Sequence, residues 1–234
     1  MGAIYRREMG AFFSSGLAYV FLAVFYVLSG YFFYNNVILS GFTDTSPLFT
    51  NMFIIVLFLI PILTMRLLSE EKKNRTDQGL LTAPIGLWEI VMGKYLAALT
   101  LFIIAESIIF VYALILSYLG DVVWATLLGN YFAMLLVGAA FIALGLFISS
   151  LTENQMTAAV ITMVVLFALF LFNNLTDSVN NEKLQELIEK LSFYTRYVEF
   201  TSGVFNLTSV LFYISTAFLF NFFTVRVLEK RRWG

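Results

Sequence analysis

Residues 123–149 read VWATLLGNYFAMLLVGAAFIALGLFIS, from Val123 to Ser149 without one charged side chain. A helix needs about 20 apolar residues to cross a hydrocarbon core, so this run is a membrane span. The chain on either side repeats the pattern. Leu17 to about Tyr34, Leu48–Leu68, Tyr95–Leu119, Met156–Phe172 and Leu207–Leu228 are further apolar runs of that kind. Across 234 residues the hydrophobic set makes up 60% and charged residues 12%, with a mean hydropathy of +0.88. Soluble domains carry about 45–50% and about 25%, and a soluble chain of this size could not bury so much apolar surface. The expected fold is all-α, a polytopic membrane protein of six transmembrane helices forming one domain over residues 1–234. No internal repeat or inverted half-repeat stands out.

Basic residues set the expected orientation. Arg6 and Arg7, then Arg66, Lys72, Lys73, Arg75 and Lys94, then Arg226, Lys230, Arg231 and Arg232 lie on one side of a six-span chain, eleven in all. The other side holds Lys183, Lys190 and Arg196. An even number of spans puts both termini on the basic side, which is therefore expected to be cytoplasmic.

Before the first span, residues 1–15 place Ile4, Tyr5, Met9, Phe12 and Phe13 on one helical face, with Arg6, Arg7, Gly10 and Ser14 opposite. That predicts a helix lying in the membrane interface. The first run is not read as a signal peptide, since no small-x-small cleavage site follows it. The extracytoplasmic segment 173–206 has Leu184, Leu187, Ile188 and Leu191 at helical spacing, predicting a short amphipathic helix. Phe193, Tyr194, Tyr197, Phe200 and Phe205 follow, either as an interfacial aromatic belt or as a lid or re-entrant gate over an exit path.

The composition removes whole classes of chemistry. With no histidine there is no Ser-His triad and no zinc-hydrolase helix, and with no cysteine no disulfide framework and no thiolate site. The net charge of −1 gives no basic field for nucleic acid. Gly93-Lys94 is the nearest thing to a nucleotide-binding loop, but the glycine that should open it is Trp88, so the chain is expected to bind no ATP by itself. No catalytic residue and no metal site is expected. Inside the spans one acid stands out. Glu106 sits near the middle of the third, where a charge costs about 2.5–3.5 kcal/mol on insertion scales. Its neighbours Phe102, Ile103, Ile109 and Phe110 offer no partner. It is either a protonatable or substrate-facing carboxylate, or a structural acid bonded to another span.

The cytoplasmic loop 66–94 is the richest segment. Thr82 is placed to cap a short helix with Pro84 in its first turn. That helix would carry Ile85, Trp88, Ile90 and Val91 outside any span, as a docking surface or pressed into the lipid interface.

Arg66, Glu70-Glu71-Lys72, Thr76, Leu80-Leu81-Thr82-x-Pro84 and Trp88-Glu89-Ile90-Val91-x-Gly93-Lys94-Tyr95 resemble the permease subunit of ABC-2 type exporters, closest to the gliding-motility-associated group. Phe12-Phe13-Ser14-Ser15, Gly145-x-x-Ile148-Ser149-Ser150-Leu151-Thr152-Glu153-Asn154-Gln155 and Phe200-x-x-Gly203-Val204 extend the likeness over nearly the whole chain. Arg75-Thr76 stands where the family has Gly-Thr, and Gln78 stands near a family glutamate. The resemblance implies that two permeases, identical or different, pair in the lipid membrane. Each would dock a separate ATP-binding subunit that holds ATP and magnesium. Docking is implied for Ile85, Leu87, Trp88 and Glu89, with Glu70 and Glu71 on the charged approach and Leu80, Leu81, Thr82, Pro84, Gly93 and Lys94 completing the coupling motif. Two readings of other classes compete. An ion-coupled carrier would work as a dimer through Glu106, and an intramembrane enzyme would need paired acids or a Ser-His site that the spans do not contain.

Overall fold

A computed structural model describes residues 1–40, 45–76, 78–79, 85–119, 122–172, 185, 190–201 and 206–233. Among these the chain is helical throughout. The elements are α1 (Gly2–Ser14), α2 (Leu17–Phe33) with a π-helical turn at Tyr34–Ile38, α3 (Ser46–Thr64), α4 (Ser69–Lys73), α5 (Leu87–Glu106), α6 (Ile108–Leu119), α7 (Trp124–Leu151), α8 (Gln155–Leu171), α9 (Phe193–Thr201) and α10 (Leu207–Trp233).

Among the described residues, five stretches are long and apolar enough to cross a membrane: Leu17–Ile38, Ser46–Lys73, Leu87–Tyr118, Trp124–Leu151 and Leu207–Arg232. The expected fifth span is the shorter apolar helix Gln155–Leu171. Its 17 residues rise about 25 Å, near the lower end of what spans a bilayer.

Contacts distinguish the two ends of the bundle. At one end the Met1 ammonium meets Glu89 at 2.8 Å and Lys72 meets Glu153 at 3.6 Å. At the other, Ser46 Oγ donates to the Thr201 carbonyl at 3.0 Å, and the Phe170 and Tyr194 rings lie 5.1 Å apart. The long apolar helices therefore run alternately between the ends, and α8 makes a full traverse from Glu153 to Phe170. The chain's two ends lie at the end that holds the ion pairs, hereafter the basic end.

Helix α7 is the hub. It is apolar all round and the most buried of the spans, as a central helix must be. Small residues let its neighbours approach closely. A Cβ at Gly138 would collide with the Phe102 ring of α5, and one at Gly145 with Thr64 of α3. Ser149 then closes the end of α3. Its hydroxyl accepts from the Leu68 and Ser69 amides at 3.1 Å each and donates to the Met65 carbonyl at 3.1 Å, satisfying backbone groups that the helix end leaves open. Asn154 caps α8 by accepting from the Met156 amide at 2.9 Å.

Helix α9 packs on α3, α7 and α8 at the far end of the bundle. Its aromatic residues do not form a lipid-facing belt. Phe193, Tyr197 and Phe200 are buried, and the Tyr197 hydroxyl donates to the Phe49 carbonyl at 2.8 Å. Most of the amphipathic helix expected over 182–191, and Phe205, lie outside the described residues.

Candidate functional site

The basic end carries the site. Helix α1 turns into α2 at Gly16, which adopts φ +75°, a left-handed conformation that glycine takes without strain. Ile4, Glu8 and Phe12 recur every fourth residue and form its buried face. That face lies on the first turns of α5, where Gly93 leaves room for Ile4; a Cβ at Gly93 would stand 2.9 Å from Ile4 Cγ2.

Glu8 enters this contact as a carboxylate and meets Lys94. The Lys94 side chain is 1% exposed, and its ammonium reaches Glu8 Oε1 at 3.0 Å, Glu71 Oε1 at 2.9 Å and the Leu67 carbonyl at 2.7 Å. Arg7 joins from the solvent side, 2.8 Å from Glu8 and in contact with Glu71. Burial alone would raise the Glu8 carboxyl, but Lys94 and Arg7 outweigh it and hold its pKa below the ordinary 4.5. Burial likewise works against the Arg7 guanidinium, and the two carboxylates reverse that, leaving its pKa raised. One cluster of two acids and two bases thus ties α1, α4 and α5 together.

Beside it lies a cleft of about 240 Å³, lined among others by Arg66, Glu70, Asn74 and Thr76. Arg66 pairs with Glu70 at 3.4 Å, donates to Ser15 Oγ at 2.5 Å and to the Ala11 carbonyl at 3.3 Å, and covers the Phe12 ring at 5.5 Å. It fastens the C-terminal half of α1 as Lys94 fastens the middle.

The expected docking residues divide. Leu87–Glu106 is one continuous helix, so the described part of the segment expected as a separate helix after Pro84 is the start of the third span. Ile90 and Val91 are consequently buried rather than offered to a partner. Ile85 and Leu87 are half-buried. Trp88 stays 38% exposed, one face stacked 5.8 Å from Phe218 of α10. Glu89 is exposed and held by the Met1 ammonium. Glu70 is paired with Arg66, and Glu71 belongs to the Lys94 cluster. Leu80, Leu81, Thr82 and Pro84 lie outside the described residues. Glu106 is remote from all of these, fully buried in the last turn of α5. Arg7 and Glu8 were not singled out in the sequence as site residues.

A family profile described as ABC-2 family transporter protein matches residues 20–228. The chain belongs to the ABC-2 transporter family. ABC-2 permeases are typically non-catalytic membrane subunits, and membership implies association with an ATP-binding subunit. The match contains Glu71, Trp88 and Lys94 but begins after α1, so the Arg7 and Glu8 half of the cluster precedes the segment that defines the ABC-2 family here. No individual curated protein matches the sequence.

Proposed function

We propose that this chain is the membrane-spanning permease subunit of an ATP-driven exporter, of the kind found in gliding-motility-associated ABC systems. It forms the translocation path with a second permease, identical or diverged, and is driven by separate ATP-binding subunits that hold ATP and magnesium. Both termini face the cytoplasm from a bacterial inner membrane.

The observation that carries the reading is the junction at the basic end. A force applied to the surface around Ile85, Leu87, Trp88 and Glu89 acts on the N-terminus of α5. Through Lys94 and Glu89 it reaches α1 and α4, and through the Trp88 ring it reaches α10. Closure of the ATP-binding subunits can then move several spans as one body, a hinge-type transition. Glu70, partly exposed beside the cleft, lies on the charged approach to that surface. For the pairing of permeases, α2 offers an outward apolar row of Tyr19, Val20, Val27 and Tyr31, and α8 offers Met156, Val160 and Val164.

The test is purification from the native membrane in mild detergent. The reading expects a stoichiometric ATPase that is released when Leu87 and Trp88 are both replaced by alanine, in a permease that still purifies as a folded particle. A chain that purifies as a stable dimer with no ATPase would overturn it and favour the Glu106-dependent carrier.

A further inference from the structure

Among the described residues, two fully buried side chains in the membrane part of the bundle have no partner for any of their polar atoms. Glu106 is fully buried with both carboxylate oxygens unbonded, and Asn130 of α7 is fully buried with its amide oxygen and nitrogen unbonded. Asn36 and Asn221 each leave one buried polar atom unbonded, and Asn221 still donates through its amide nitrogen to the Ala217 carbonyl at 2.9 Å. Thr64 and Thr162, as buried as Glu106, donate back to the carbonyls of Ile60 and Ala158 at 2.9 and 2.7 Å.

Register places the two orphans about one helical turn apart along the α5–α7 contact. Helices α5 and α7 pack antiparallel. The Phe102 ring lies against Gly138, and the Phe110 ring lies 5.0 Å from Tyr131. Glu106 stands one turn from each phenylalanine, so it faces the stretch of α7 between Tyr131 and Gly138, and Asn130 adjoins that stretch. The ionisable groups that feel its charge are Tyr131 on α7 and Tyr197 on α9.

The helix also breaks at this point. Helix α5 ends at Glu106 and α6 starts at Ile108; between them the Ser107 hydroxyl donates to the Ile104 carbonyl at 2.6 Å. Such back-bonding by serine accompanies bends in helices, and here it gives α6 a pivot next to the carboxylate. An unpaired acid and an unpaired amide do not stabilise an apolar bundle. Groups of this kind in a membrane mark a pathway or a ligand.

We propose that Glu106 and Asn130 form a recognition site for an organic cation with an apolar body, uncovered when α6 swings on Ser107. The cation's charge pairs with the Glu106 carboxylate, the Asn130 amide bonds a polar group on the same molecule, and the rings of Phe102, Tyr131 and Tyr197 receive its apolar part and supply cation–π attraction. The carboxylate rejects anions, and the apolar surroundings reject strongly hydrated, multiply charged solutes. This names the substrate class of the permease and rests on that reading of the chain.

Tetraphenylphosphonium is the probe, and tetraphenylborate, of the same shape and opposite charge, is its control. Binding to the full-length permease in nanodiscs is read by equilibrium dialysis, and ATPase stimulation is read on the complex with the ATP-binding subunit. The cation is expected to bind and the anion not. Glu106→Gln is expected to weaken cation binding at least tenfold, Asn130→Leu to weaken it severalfold, and Asn130→Asp, which adds a charge in place, to tighten it. Equal binding of both probes, no binding by the native chain, or cation binding unaltered by Glu106→Gln overturns the proposal. If Glu106→Gln does not give a folded particle, the Asn130→Asp and Asn130→Leu pair decides, since the proposal requires opposite shifts. Failure of the exporter reading is a separate result, seen as no ATPase accompanying the chain while dialysis still reports on the site.

Discussion

An ammonium with 1% of its side chain exposed is tolerated at the end of a membrane bundle because each of its protons has an acceptor: Glu8, Glu71 and the Leu67 carbonyl. Removing it strands two carboxylates in a site built for a cation. Lys94→Met is expected to cost about 3–5 kcal/mol, the range for breaking a buried ion pair by deleting one partner, read as a lower unfolding temperature in detergent. The same cluster gives an acid dependence. The Glu8 pKa is depressed in the folded chain, so its contribution is fully present above about 4.5 and is lost as pH falls through the folded value. Stability measured from pH 7 down to pH 3 is expected to fall more steeply below 4.5 in the native chain than in Glu8→Gln, which carries no charge to lose. An identical slope in both would remove Glu8 from the stabilising role of the cluster. At this scale the sequence was only partly legible. Lys94 belongs to a motif that can be recognised, but the motif says nothing of its partners. Glu8 had a readable signal, four residues from both Ile4 and Phe12 and so on the apolar face of its own helix. A carboxylate on such a face needs a buried cation, and which cation depends on how α1 meets α5.

The spans are legible as elements because apolar runs of that length with at most one charge have no other stable home, and the long runs read from the sequence are helical in the bundle. The start of α5 was not. Thr82 and Pro84 are local helix-start signals, and Trp88, Ile90 and Val91 precede the apolar run by several residues, so local chemistry predicts a separate helix. Packing decides otherwise, since Ile90 and Val91 are buried and the same helix continues to Glu106. Packing between elements is also where a single carbon matters. The Gly138 site already contains the Phe102 ring. Gly138→Ala is therefore expected to destabilise the α5–α7 pair by about 1–3 kcal/mol, the usual cost of overpacking. Phe102→Leu in that background is expected to restore part of the loss, although alone it leaves a gap and destabilises. Thermal unfolding of the two single variants and the double variant measures this coupling. Strict additivity would mean that the ring and the glycine do not oppose each other.

For the molecule as a whole, the decisive question is how many times the chain crosses. Residue contacts make α8 a full traverse, from Glu153 beside Lys72 at the basic end to Phe170 beside Tyr194 at the other, though at 17 residues it is shorter than the five long apolar stretches. The chain has no cysteine, so single cysteines report position without background. Arg75 and Arg232 are exposed at the basic end, and Leu39 and Leu191 are 62% and 50% exposed at the opposite one. With the basic end in the cytoplasm, Leu39→Cys and Leu191→Cys are expected to react with an impermeant maleimide in intact spheroplasts. Arg75→Cys and Arg232→Cys are expected to react only after the membrane is opened. The four positions separate two errors that one would confuse. Reversal of all four would invert the molecule and remove the cytoplasmic docking surface at Trp88. Leu191 and Arg232 changing sides together, with Leu39 and Arg75 as expected, would mean that α8 does not cross, leaving an even number of spans, four, before α10 and placing Arg196 with the cytoplasmic bases. The excess of eleven bases over three disfavours the first. Against the second stand the burial of α9 on α3 and α7, and the bond from Ser46 to the Thr201 carbonyl. Both hold the segment after α8 at the far end, where a helix of 17 residues can deliver it only by spanning the hydrocarbon core.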